Sequence, residues 1–114
     1  MFAVVLGIGS PLPVQADSIG LGFASVRAAY TALSARPDAV IEDQAGWTRI
    51  ALPGPDGLAV WSFAPREHPA FPVLVRRDVM LRDGLPTLVT RFLCEGRRAA
   101  CETLYADLRS DAGV

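Results

Sequence analysis

Lysine is missing from this chain: all eleven basic residues are arginine. That absence removes a Schiff-base lysine and the phosphate-cradling lysine of a P-loop from consideration. Histidine is nearly absent too, and His68 is the one residue on which any histidine-dependent mechanism would have to rest. No sign of charge prevails, since eleven basic and twelve acidic residues leave a net charge of -1. Phosphate-driven binding needs a basic excess, so nucleic acid is not an expected partner. Long apolar runs are lacking as well. The most apolar stretch, Met1 to Ala16, is broken by Pro11 and Pro13 and falls short of the ~20 residues of a membrane-spanning helix, so no transmembrane segment is expected. Neither Gly-x-Ser-x-Gly nor Cys-x-x-Cys occurs, and the carboxylates are scattered. A hydrolase triad, a dithiol redox site and a tetrahedral zinc site therefore have no sequence support, and no cofactor or metal is expected.

What is present begins with the N-terminus. Residues Met1 to Ala16 carry no charge and close on Val14-Gln15-Ala16 before Asp17. An apolar stretch, a proline-containing break and small or branched residues before a cut match the end of an export signal. A basic start is lacking, so an ordinary N-terminal strand or tail stays open as an alternative. Removal of residues 1–16 would leave 17–114 as a single domain of a size that supports one core.

Along that domain the hydrophobic period changes twice. Ser25 is placed as an N-cap, followed by Val26, Ala29, Tyr30 and Leu33 at helical spacing until Arg36-Pro37, which predicts a helix over about residues 22–36. Short runs rich in Val, Ile, Trp, Phe and Thr then predict strands near 39–43, 46–52, 57–64, 73–82 and 85–94. Asp83-Gly84 favours a two-residue type I′ hairpin and so sets the register. Arg82 faces Leu85, and counting back puts Leu81, Val79, Arg77, Val75 and Val73 opposite Pro86, Leu88, Thr90, Phe92 and Cys94 on a mostly apolar face, expected to be core. The pairs Met80/Thr87, Asp78/Val89 and Arg76/Arg91 form the wetter face. A second helix is predicted over about 96–109, with Cys101, Leu104, Tyr105 and Leu108 at i, i+3, i+4 and i+7. The order predicts an α+β fold: an antiparallel meander of four or five strands with an N-terminal and a C-terminal helix packed on one face.

Hairpin counting and helical periodicity independently place Cys94 and Cys101 in the same layer. An oxidised pair is the expectation for an exported domain, with two free buried thiols in a cytosolic protein as the alternative. Seven residues of continuous helix would hold the two Cα atoms roughly 10 Å apart, beyond the ~7 Å limit of a disulfide, so the chain has to turn between them, with Gly96 as the permissive residue.

Two candidate binding surfaces stand out. The first is the proline-stiffened stretch Arg66 to Pro72, which with Trp61 just before it offers Arg66, His68 and Phe71 as a binding edge. Against this stands the plainer reading of a crossover whose Phe71 plugs the core. The second is Arg76 opposite Arg91, two like charges that call either for Asp78 as a counter-charge or for an anionic ligand or acidic partner surface.

Taken together, Trp61-Ser62-Phe63, Pro65, His68-Pro69-Ala70-Phe71-Pro72, Arg77 and Leu93-Cys94-Glu95 ahead of Cys101 give the chain a pattern that resembles small exported proteobacterial proteins without assigned function. The resemblance spans about residues 20–108. It implies periplasmic residence, an oxidised cysteine pair and a compact helix-capped sheet, and it brings no active-site residues. The leading expectation is a periplasmic or secreted binding module without catalytic activity, its partner being another envelope protein or a small anionic ligand. Alternatives are an inhibitor or immunity protein for an envelope enzyme, and a small hydrolase or pH-responsive site built on His68 with Glu67 or Asp78.

Overall fold

The computed structural model describes residues 21–54 and 57–112, with side chains through residue 110. The expected signal, Met1–Ala16, lies outside the described residues. Helix α1 (Val26–Ser34) starts where its cap dictates: Ser25 is extended at φ -153° and ψ 163°, and its hydroxyl accepts from the Ala28 N–H at 3.0 Å. A second acceptor reaches the same end from far along the chain, because the Val26 N–H donates to Glu95 Oε2 at 3.3 Å. A carboxylate at that end also complements the helix dipole.

Five antiparallel strands follow in meander order: β1 (Val40–Gln44), β2 (Trp47–Gly54), β3 (Gly57–Phe63), β4 (Val73–Arg82) and β5 (Leu85–Cys94). Asp83 and Gly84 both take positive φ, 53° and 79°, as the type I′ turn requires. The register runs from Arg82 opposite Leu85 to Val73 opposite Cys94, as the hairpin count predicts. Ala45-Gly46 makes a turn of the same kind between β1 and β2, with φ values of 54° and 87°. Helix α2 (Arg98–Ala112) closes the chain. The fold is α+β, with one N-terminal and one C-terminal helix.

The helices do not share a face. One cluster joins Val26, Ala29 and Leu33 of α1 to Ile50, Leu52, Ala59, Trp61, Phe63, Leu74 and Leu93. The other joins Cys101 and Leu104 of α2 to Val73, Val75 and Cys94, with Trp47 and Phe92 against it. Side chains alternate along a strand, so these two sets occupy opposite sides of the sheet. The expectation of a single covered face fails because the near ends of β4 and β5 are apolar on both sides: Leu74 and Leu93 sit one residue from Val73 and Cys94. The hairpin therefore divides along its length. Ten-residue strands span about 33 Å, whereas the fifteen-residue α2, which lies on the side of Val73, Val75 and Cys94, is about 22 Å long. Val79, Leu81 and Leu88, expected in the core, lie beyond this cover and are 42%, 69% and 51% exposed.

The disulfide between Cys94 and Cys101 is formed, with Cα atoms 6.0 Å apart and both residues buried. This separation is reached because α2 begins only at Arg98, leaving Glu95, Gly96 and Arg97 to turn the chain. Gly96 serves that corner differently from the expectation. Its φ is not in the left-handed region, and what it supplies is room: a Cβ there would overlap the backbone carbonyl of Ala70. The loop after β3 is bound to this corner by the Glu95 N–H, which donates to the Pro72 carbonyl at 2.8 Å. Among the described residues, no helix is long and apolar enough to cross a membrane.

Candidate functional site

The stretch between β3 and β4 is packed rather than projecting. Ala64 and Ala70 are buried against the α2-side core, and Ala70, not Phe71, is the residue that plugs it; Phe71 is 40% exposed beside a cis bond to Pro72. The His68 N–H donates to the Pro65 carbonyl and the Phe71 N–H to the His68 carbonyl, each at 3.0 Å. The imidazole is half-buried, and its Nδ1 accepts from the Ala70 N–H at 3.0 Å. Accepting at Nδ1 puts the ring proton of the neutral form on Nε2. The ring stands edge-on to Trp47 at 5.2 Å between centroids. Among the described residues His68 makes no hydrogen bond to a carboxylate or a hydroxyl. Arg66 and Glu67 are exposed in the same loop.

Trp61 does not join that loop. It is buried on the α1 side, edge-on to Phe23 at 5.6 Å, and the Arg76 guanidinium lies over its ring at 4.6 Å. Arg76 also donates through Nε and Nη2 to Asp78 Oδ1 at 3.1 and 2.9 Å. Asp78 is thus the counter-charge that the Arg76/Arg91 pairing calls for, and Arg91 stays exposed. The sheet separates Asp78, on the α1 side, from His68, on the α2 side. The structure therefore brings Trp61, Arg76 and Asp78 together and keeps Arg66, His68 and Phe71 apart from them.

The larger concavity lies elsewhere, between α2 and the sheet. A cleft of about 460 Å³ is lined by Gln44, Ala45, Trp47, Arg49, Ser62, Val75, Arg77, Leu104 and Leu108. Strand alternation explains the set. Arg49 pairs with Ser62 and Ser62 with Val75, while Arg77 pairs with Val60 one step along the same face. Leu104 and Leu108, one turn apart on α2, form the opposite wall. The Arg49 guanidinium is held by Gln44 Oε1. Arg77 is half-buried and has no hydrogen bond or ion pair among the described residues. Ser62 is 5% exposed as a residue; its hydroxyl has no protein partner among the described residues and opens onto the cleft. None of the described residues lining the cleft is a carboxylate; Glu42, opposite Arg49 across β1 and β2, is exposed outside it.

The chain matches no family model, no curated protein and no solved structure.

Geometry alone therefore says what the cleft can do. Its volume falls within the range of small-molecule sites, and it combines an apolar wall with a few polar groups, the usual composition of such sites. A smaller cleft of about 380 Å³ lies on the other flank of α2, lined by His68, Pro69, Arg97, Ala99, Ala100, Thr103, Leu104 and Asp107. Leu104 lines both, and Trp47 bridges the larger cleft to His68. Among the described residues no group of three or more His, Cys, Asp or Glu is placed to hold a metal.

None of Arg49, Ser62 and Arg77 is a binding candidate from the sequence; Ser62 and Arg77 enter only through the exported-protein pattern, and Arg77 also as an inner-face position. The signal is there in Arg77, an arginine at an inward position among Val73, Val75 and Val79. A second trace is Ser62, a small polar residue between Trp61 and Phe63. What no pattern in the sequence supplies is α2 lying across that face to turn it into a cleft.

Proposed function

We propose that this protein is a non-catalytic binding module of an oxidising compartment, periplasmic or secreted, with the cleft beneath α2 as its binding site. The observation that carries the reading is the composition of the cleft: the apolar wall of Trp47, Leu104 and Leu108 faces two half-buried arginines, Arg49 and Arg77, with the Ser62 hydroxyl open between them. An apolar concavity with a few converging polar groups is the usual makeup of a small-molecule site. The disulfide supports both halves of the proposal. Such bonds persist in oxidising compartments, and this one anchors the start of α2, which forms the cleft's far wall.

The test of binding is an NMR titration of the full chain with a fragment panel of mixed charge. Shifts confined to Trp47, Arg49, Ser62, Arg77, Leu104 and Leu108 are expected. Shifts centred instead on Arg66, His68 and Phe71 would move the site to the loop, and conversion of a fragment would end the non-catalytic reading. The compartment is tested by expressing the full chain in a bacterial host. A mature N-terminus at Asp17 and no titratable thiols are expected in envelope protein, whereas cytoplasmic retention with both thiols free overturns export.

A further inference from the structure

We infer that the cleft takes a small carboxylate carrying a flat apolar body, such as an aromatic acid. The inference rests on the reading of the cleft as the binding site and adds the chemistry of its occupant. Charge decides the first half. Arg49 and Arg77 are half-buried on one face of the sheet, neither is ion-paired among the described residues, and none of the described lining residues is a carboxylate; Glu42, paired opposite Arg49, is exposed outside the cleft. Two guanidinium groups set on one face beside an apolar wall attract an anion, and the partial shielding there makes that attraction stronger than it would be in open water. Arginine is the side chain whose planar fork matches a carboxylate. Gln44 fixes the direction of the Arg49 fork through a neutral acceptor, so its positive charge remains available. The Ser62 hydroxyl, paired across β2 and β3 with Arg49, supplies a donor beside the guanidinium.

The apolar wall decides the second half. Trp47, Val75, Leu104 and Leu108 make up the remainder of the lining with Ala45, and Trp47 is a flat surface suited to a ring. A bare inorganic anion would satisfy the arginines and leave that wall wet. The volume of about 460 Å³ admits one ring with short substituents, not an extended chain. The other surfaces carry less. The Arg76–Asp78 pair is already neutralised within the protein, and the apolar far end of the hairpin has nothing that specifies its cover.

The test compares benzoate, benzamide and acetate on the isotope-labelled full chain at neutral pH, in a buffer free of phosphate and carboxylates. Benzamide keeps the shape of benzoate without its charge, and acetate keeps the charge without the ring. Benzoate is expected to move the Trp47 indole, Ser62 and both arginine side-chain resonances with a Kd of about 1 mM. It should bind at least about tenfold more tightly than either control. Arg77→Gln should abolish that preference. Arg49→Gln, on the neighbouring wall, gives the same reading if the first variant does not fold, and the wild-type comparison needs no variant at all. Benzamide equal to benzoate overturns the carboxylate, and acetate equal to benzoate overturns the apolar body; the binding module survives both. If these three leave the cleft resonances still while another fragment moves them, the inference fails alone. Silence from every fragment overturns both readings.

Discussion

Reduction of the Cys94–Cys101 bond tests the link between the covalent framework and the cleft. The bond joins residues seven apart, and closing a loop of about eight residues removes unfolded-chain entropy equivalent to about 2.5 kcal/mol at room temperature. Comparing oxidised with reduced wild-type protein isolates this contribution, because the same side chains remain in the core. Both cysteines are buried, with Cys94 Sγ 3.5 Å from the Ala70 carbonyl oxygen, so the reduced thiols keep their packing. For a domain of this length, 2.5 kcal/mol corresponds to a fall in Tm of roughly 10–20 °C. Total stabilities are about 5–15 kcal/mol, so the reduced protein should still fold. Equilibrium urea denaturation followed by circular dichroism, with and without reductant, measures the difference. A loss below about 0.5 kcal/mol would refute the entropic argument and mean that α2 is held without the crosslink. Complete unfolding on reduction would refute it from the other side, by making the bond a condition of the fold.

Gly96→Ala should destabilise the protein by about 2 kcal/mol or more in thermal unfolding, because the new methyl meets backbone at Ala70 and not a side chain that can swing away. Leu74→Ala and Leu81→Ala should part widely despite sharing one strand: about 2–5 kcal/mol lost at Leu74, which is fully buried, and less than about 0.5 kcal/mol at Leu81, which is 69% exposed. Equal losses in urea denaturation would refute the division of the hairpin into a covered and an uncovered end. The Arg36 guanidinium, bonded to Asp38 at 2.9 and 3.1 Å, holds the Asp38 carboxyl below its ordinary range. The pair's contribution is therefore present above the ordinary aspartate value and lost as pH falls through the depressed one. NMR titration should show the Asp38 midpoint returning upward in Arg36→Gln.

Much of the fold is legible because it depends on local patterns. Ser25 caps α1 through its own hydroxyl, and Asp83-Gly84 fixes the β4–β5 register because few residue pairs tolerate positive φ twice in succession. Once that register is set, alternation carries Cys94 to the layer where helical periodicity also puts Cys101. Trp61 is less legible. Its neighbours in sequence suggest a surface aromatic near the loop, while its neighbours in space, Phe23 and Arg76, come from an earlier and a later segment.

By itself, then, the sequence determined the β4–β5 register, the approximate helix positions, the cysteine pairing and the absence of lysine chemistry, all consequences of backbone geometry and side-chain identity over short spans. Tertiary structure alone decided which helix covers which side of the sheet. A strand that is apolar on both faces at one end does not announce which partner arrives on each. That choice put α1 over Trp61 and α2 over Ser62, and so left the two arginines of the α2 side, Arg49 and Arg77, along a cleft instead of on an open sheet.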